Sequence, residues 1–222
     1  MTDYHTHILP GIDDGCQTVE ESVAVLNMLK EQGVTRVYAT SHYYSGQNSP
    51  EVFLRRRESA YQKLKPYLTP DMPEVLLGAE IEYFDGMRRI KGIYDLALEG
   101  TRILLIEMPE ERWSYRTVSE ILEINGNSGY TVMIAHVDRY AFYQKKNTLK
   151  ALVSEGVIMQ GSADFFALPQ TRNKALKMFK KNEIHVLGTD AHDPVSRPPR
   201  MKQAADVIAK RFGDDVLEDL SV

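Results

Sequence analysis

The chain has 222 residues, 27 Lys+Arg against 31 Asp+Glu for a formal charge of −4, and 43 % hydrophobic residues. That is ordinary globular composition for one substantial core, and a chain without a basic excess is a poor general nucleic-acid binder. The single cysteine, Cys16, excludes an internal disulfide and a multi-cysteine zinc site. No apolar run approaches the roughly 18 residues of a membrane span, and Met1-Thr2-Asp3-Tyr4-His5 has no signal-peptide character. The expectation is one cytoplasmic domain spanning residues 1–222.

Apolar, β-rich runs alternate with helical periods along the whole chain. Strands are expected near 1–7, 35–42, 74–83, 101–108, 130–137, 156–163 and 184–190, and helices near 18–32, 50–68, 115–126, 145–155, 171–182 and 200–212, with a shorter piece after Gly86. The first helix opens on Thr18-Val19-Glu20-Glu21, a capping box, stops at Gly33, and presents Val19, Val23, Leu26 and Leu29 as an apolar stripe. Strand–helix alternation without hairpin signals predicts parallel βα units. Seven such units fall one short of an eight-fold barrel, which needs roughly 240–250 residues. An open doubly wound sheet would carry a Gly-rich phosphate loop after its first strand. His-x-His stands there instead.

His5 and His7 end the first strand, two residues apart and therefore on one face. Asp190 and His192 repeat that spacing after the last strand, which a closed barrel would set beside the first. Between them His42, Glu80, Glu107 and His136 each follow a largely apolar tetrapeptide, at strand ends where a lone charge is costly unless paired or metal-bound. Spacing alone does not separate Glu80 from Glu82. Asp13-Asp14-Gly15 reads as a turn by itself; beside this set, one of the two carboxylates is a candidate ligand. Five of the six histidines thus fall at C-terminal strand ends, the face where barrel enzymes work, while His185 opens its strand and reads as structural. Nine N/O donors (His5, His7, Asp14, His42, Glu80, Glu107, His136, Asp190, His192) exceed the four of one zinc-like ion. A bridging Glu and three ions would use them all. Imidazole and carboxylate ligation without thiolate suits manganese, zinc or iron.

These residues carry a family resemblance. Asp3-Tyr4-His5-Thr6-His7-Ile8-Leu9-Pro10-Gly11-Ile12-Asp13-Asp14-Gly15, Thr40-Ser41-His42, Gly78-Ala79-Glu80-Ile81, Ile106-Glu107, Ala135-His136-Val137-Asp138-Arg139-Tyr140, Thr189-Asp190-Ala191-His192 and Arg197-Pro198-Pro199 follow in order over nearly the whole chain. The pattern resembles the polymerase-and-histidinol-phosphatase (PHP) superfamily, and within it the bacterial tyrosine-protein phosphatases encoded with capsular and exopolysaccharide machinery. The resemblance implies an α/β fold, a distorted seven-stranded (β/α)7 TIM-like barrel. It implies three divalent ions, Mn2+ first and Zn2+ or Fe as alternatives: one on His5, His7, Glu80 and Asp190, a second on Glu80, Glu107 and His136, a third on Asp14, His42 and His192. Arg139 and Arg197 match arginines that meet the substrate phosphate, and His192 or Asp14 is the candidate proton donor. The implied substrate is a phosphotyrosine protein, a bacterial tyrosine autokinase.

Histidinol phosphatase and nucleic-acid 3′-end trimming use a near-identical site, and the acidic charge disfavours the second. Metal-dependent amidohydrolases also open on His-x-His, but their bridging lysine has no counterpart at a strand end here. A non-catalytic metal-binding protein would not need nine donors and two arginines. Cys16 is followed by Gln17 through Ser22, so the Cys-x5-Arg loop of thiol phosphatases is absent. Arg55-Arg56-Arg57 reads as a solvated helix stretch, with docking of an acidic partner as the alternative. Tyr43, Tyr44, Trp113, Phe165 and Phe166 are candidates for a rim that receives a phenyl ring, and Asp3 for orienting a ligand histidine. Gln160-Gly161-Ser162-Ala163-Asp164 is assigned no role.

Overall fold

The computed structural model describes residues 1–145, 147–217 and 220. All strand pairings among them are parallel. The strands are β1 (Thr2–Thr6), β2 (Arg36–Ala39), β3 (His42–Tyr43), β4 (Glu74–Leu77), β5 (Glu80–Glu82), β6 (Ile103–Glu107), β7 (Thr131–Ile134), β8 (Ile158–Ser162) and β9 (Val186–Gly188). They form a three-stranded sheet, β1-β2-β4, and a six-stranded sheet, β3-β5-β6-β7-β8-β9, curled around a common interior. The first strand also touches the chain beyond β9: Asp190 N donates to His5 O (2.8 Å), His7 N to Ala191 O (2.9 Å), and Thr6 bridges Ala191.

Two of the seven predicted strands are each divided. The runs 35–42 and 74–83 break at residues 40–41 and 78–79, so His42 and Glu80 open short strands instead of ending long ones. Gly78 lies at the second break, where a Cβ would stand 2.6 Å from Leu98 Cδ2 and 3.1 Å from Thr40 Cγ2, so a side chain there would require those neighbours to shift. Register survives the bend, with Ala39 opposite Leu77 and His42 opposite Glu80. The first strand carries its own irregularity. Three steps from Asp3 to Thr6 face two from Val37 to Ala39, the signature of a bulge that re-aims side chains.

Helices cover the outside: α1 (Val19–Glu31), α2 (Pro50–Leu64), α3 (Tyr115–Ile124), α4 (Val137–Tyr140), α5 (Thr148–Ser154), α6 (Ala163–Ala167), α7 (Pro169–Lys180) and α8 (Met201–Phe212). Lys146, within the helix expected over 145–155, lies outside the described residues. The short α4 and α6 were not legible as periodic runs. The piece after Gly86 is two 3-10 turns, Met87–Arg89 and Ile93–Leu96. The buried face of α1 is Ser22, Val25, Leu26 and Leu29, turned slightly from the expected stripe, with Val19 and Val23 at its margin. The capping box forms: Thr18 accepts from Glu21 N, and Glu21 Oε2 accepts from Thr18 N. Thr18→Ala is expected to destabilise the fold by about 1 kcal/mol. Thermal unfolding should show a Tm lower by roughly 2–4 °C.

Alternation along the strands sorts the core into two layers. Leu104, Ile106, Val132 and Ile134 face the helices and join the large outer cluster. Tyr4, Tyr38, Ile103, Leu105, Met133 and Val186 fill the space the strands enclose. Continuing the inward face of β6 by one step, from Leu105, brings Glu107. The apolar interior thus ends in a polar layer at the C-terminal strand ends. No helix among the described residues is long and apolar enough to cross a membrane.

Candidate metal centre

All nine sequence-predicted donors meet in that polar layer. His5 Nε2 and His7 Nε2 stand 3.1 Å apart. Glu80 Oε2 lies 3.1 and 3.2 Å from them, and Asp190 Oδ1 lies 3.5 and 3.3 Å. These four, all buried, could hold one ion. His136 Nε2 lies 2.8 Å from Glu80 Oε1 and 3.6 Å from Glu107 Oε1, which brings the expected second trio together. His42 Nδ1 also reaches Glu80 Oε2 (3.1 Å) and Glu107 Oε2 (3.9 Å), and His42, Glu80 and Glu107 form a compact candidate group of their own. Asp14 Oδ1 lies 3.5 Å from both His42 Nε2 and His192 Nε2, a third group to which His7 also belongs. Glu80 is buried at the centre, whereas Glu82 is exposed, which separates two residues that spacing could not.

The donors are oriented by partners the sequence left unassigned. Asp13 Oδ2 accepts from His7 Nδ1 (2.9 Å) and from His42 N (3.0 Å), while its other oxygen accepts from Gly15 N (3.0 Å). Gln160 Oε1 faces His5 Nδ1 (3.2 Å) and accepts from His136 N (2.7 Å). Asp190 O accepts from His192 Nδ1 (2.8 Å). Each acceptor keeps the proton on Nδ1 and leaves Nε2 as the lone-pair donor, which is how metal-binding imidazoles are prepared. Tyr140 Oη accepts from Met108 N (3.1 Å) and lies 3.0 Å from His136 Nδ1. Asp3 acts on the backbone and not on a ring: its carboxylate accepts from His5 N (3.2 Å), Thr189 N (2.9 Å) and Thr189 Oγ1 (2.6 Å), tying β1 to the end of β9. Burial pushes that carboxyl up to about 6 against these hydrogen bonds. A signal for Gln160 was present, since it follows Val157-Ile158-Met159 just as Glu80 and Glu107 follow apolar runs.

Backbone strain collects here too. His136 and Asp190 adopt φ of 29° and 54°, a region non-glycine residues rarely enter without a functional constraint. The chain needs glycine beside them, because a Cβ on Gly188 would lie 2.5 Å from His5 Cβ and 2.8 Å from Gln160 Nε2.

The electrostatics ask for cations. Burial opposes ionisation of Glu80 and Asp190, yet the histidines around them hold both carboxyls well below the ordinary range. Burial likewise opposes charge on His5 and His7, and the carboxylates facing them overcome it and raise both rings. Glu107 is pushed up to about 7, by burial first and then by the charge of Glu80. His192 is held down at about 4 by burial and by the adjacent His7 ring, leaving it neutral and able to donate a lone pair. The buried atoms Glu80 Oε2, His42 Nδ1 and His192 Nε2 have no hydrogen-bond partner of acceptable geometry. Orphaned lone pairs and crowded carboxylates in a buried site are what divalent ions relieve. The residues present fit metal.

Arg139 and Arg197 stand at the edge of this cluster. Both donate through Nη2 to Asp190 Oδ2, at 2.5 and 2.7 Å, on the carboxylate oxygen turned away from His5 and His7. Asp193 accepts from Val195 N, Ser196 N and Arg197 N, shaping the turn that carries Arg197. Other candidates disperse. His185 Nδ1 accepts from Met159 N, away from the centre. Tyr43, Trp113 and Phe166 are core residues, so of the proposed rim only Tyr44, stacked on His42, and Phe165 border the site. The arginine triplet divides: Arg55 pairs with Glu51, Arg57 donates to Gly78 O, and Arg56 donates to Ile12 O. Cys16 is fully buried and its thiol is pushed up to about 12 by burial.

Comparison with known proteins finds relatives along the whole chain. The chain is 30 % identical to the tyrosine-protein phosphatase CpsB of Streptococcus pneumoniae, over all of this chain and 95 % of that protein. It is 30 % identical to the tyrosine-protein phosphatase YwqE of Bacillus subtilis, over 97 % of this chain and 87 % of that one. A crystal structure from work on YwqE and CpsB, described there as metal-dependent tyrosine phosphatases, superposes with a TM-score of 0.85 at 25 % identity, covering 99 % of this chain and 91 % of the other. An amidohydrolase shares only the fold, at a TM-score of 0.51 and 10 % identity over 99 % of this chain and 71 % of that one. The family profile described as capsular polysaccharide synthesis, CpsB/CapC, matches residues 1–222. With that match running from end to end, the chain belongs to the CpsB/CapC family of capsular polysaccharide synthesis.

Proposed function

We propose that this protein is a metal-dependent protein-tyrosine phosphatase, acting in the cytoplasm on a tyrosine kinase that regulates capsular or exopolysaccharide synthesis. The observation that carries the reading is the convergence of nine N/O donors, most of them from strand ends, beside two arginines, in a chain whose relatives are named tyrosine-protein phosphatases. Three divalent ions, Mn2+ first among them, would be held by His5, His7, Glu80 and Asp190; by Glu80, Glu107 and His136; and by Asp14, His42 and His192. Treating each divided strand as one gives seven strands, and the hydrogen bonds from His7 and Asp190 across β1 support a distorted seven-stranded barrel over residues 1–222.

Such ions supply positive charge to the phosphoryl oxygens and lower the pKa of water. The protein's own groups do the rest. Arg139 and Arg197, anchored on Asp190, are placed to clamp the remaining phosphate oxygens. The tyrosyl leaving group has a pKa near 10 and departs with less protonic help than an alkyl alcohol. Asp14, with its side chain 65 % exposed, lies 3.5 Å from the buried His192, and this pair would supply the proton to the phenolate oxygen. The buried group facing His5, His7, His42 and His136 is the carboxylate Glu80, where an amidohydrolase would carry its bridging lysine, and this counts against that alternative.

Histidinol phosphate and nucleic-acid ends would be attacked by the same chemistry, so the substrate is decided by comparison. At one metal concentration, kcat/KM for a phosphotyrosine peptide should exceed that for the matching phosphoserine peptide by at least about tenfold, roughly 1.4 kcal/mol. It should also exceed the values for histidinol phosphate and single-stranded DNA. A lead for either of those would retain the metal centre and sink the tyrosine-phosphatase assignment.

A further inference from the structure

On the solvent side of Asp190 a cavity of about 260 Å3 opens beside the metal centre. Arg139 and Arg197 border it, and Phe165, Leu168 and Pro198 are its apolar lining residues. Asp190 joins the two spaces: Oδ1 faces His5 and His7, and Oδ2 holds both arginines. A phosphate gripped by those arginines would leave its ester substituent against the apolar wall. Leu168, at the junction of α6 and α7, is 39 % exposed and is one of the few large apolar side chains left open to solvent. Phe165 is buried and lines the cavity.

We infer that Phe165, Leu168 and Pro198 are the specificity wall that receives the tyrosyl ring of the substrate. The inference rests on the phosphatase reading above and adds how that site tells phosphotyrosine from phosphoserine. An aromatic ring gains apolar contact and edge-to-face packing against Phe165 and Leu168, whereas the single methylene of phosphoserine is too short to reach them. A second cavity, about 360 Å3, is bordered by Asp14, His42, Tyr44 and Arg56. The clamping arginines border only the first, and this selects it.

The test measures kcat and KM for matched phosphotyrosine and phosphoserine peptides with wild type, Leu168→Ser and the pair Leu168→Ser/Phe165→Leu. The phosphotyrosine-to-phosphoserine ratio of kcat/KM is expected to fall about threefold in the single variant and about tenfold in the pair. The loss should come mainly through a higher KM for the phosphotyrosine peptide, with metal content and Tm held near wild type. If the pair does not fold, the surface substitution Leu168→Ser alone decides. Tyr44→Leu supplies the opposing arm. A ratio that collapses there and holds in the Leu168 variants would place the ring over His42 and overturn the wall. A preference intact in wild type and unchanged in every variant also overturns it. Absence of any phosphotyrosine preference in wild type would instead overturn the phosphatase reading, and the wall with it.

Discussion

Glu80→Ala is expected to lose two of three bound ions and to lower kcat/KM by at least about 10³-fold, roughly 4 kcal/mol of transition-state stabilisation. Glu80 joins the first two groups: Oε2 faces His5, His7 and His42, while Oε1 faces His136. Its removal leaves those imidazoles without the carboxylate that joins them, so the first and second groups should fail together. Asp14→Ala and His42→Ala should chiefly deplete the third ion, because Asp14 pairs with both His42 and His192 in that group. Elemental analysis of the purified variants reads the difference directly. Glu82→Ala is the control, since Glu82 is exposed. Metal loss in Glu82→Ala with full loading in Glu80→Ala would contradict the assignment.

Chelation should abolish hydrolysis of the phosphotyrosine peptide, and added Mn2+ should restore most of it, whereas Cys16→Ser should keep activity per folded molecule within about twofold. The physical contrast is sharp. A thiol nucleophile must be exposed and ionised near neutral pH. Cys16 is fully buried, and its thiol is pushed up to about 12. Its backbone serves the fold instead. Cys16 N donates to His7 O (3.0 Å), which folds the Asp13-Asp14 turn over the strand that carries His7. Cys16→Ser leaves that bond in place. Activity that survives thorough dialysis against EDTA and disappears in Cys16→Ser would reverse the mechanism.

The two tests probe parts of the site that became legible at different levels. The donors at strand ends could be read one strand at a time, apart from the choice between Glu80 and Glu82, because a charged or imidazole side chain after an apolar run has few stable fates. Gln160 follows the same rule but carries no charge, and its place was visible only once β8 lay beside β7 and its amide met His5 and the His136 backbone. The choice between Asp13 and Asp14 could not be read locally either. The two are adjacent in a turn, and only its fold sends Asp13 to the far nitrogen of His7 and Asp14 toward His42 and His192. Aromatic residues were the least legible. Trp113 and Tyr43 look the same in sequence whether they line a rim or fill a core, and packing placed both in the core.

By itself the sequence determined the parallel α/β class, the order of the strand–helix units, the capping box of α1 and the identity of most of the converging donors. These depend on periodicity and on what a strand end tolerates, both local properties. The tertiary structure decided where two strands break, which face of α1 is buried, how the arginines lean on Asp190, and which partner orients each imidazole. Those outcomes depend on side chains far apart in the chain meeting at a few ångströms. Gly188 shows why: whether a Cβ fits there depends on His5 and Gln160, which come close only when the first strand, the eighth and the last lie together.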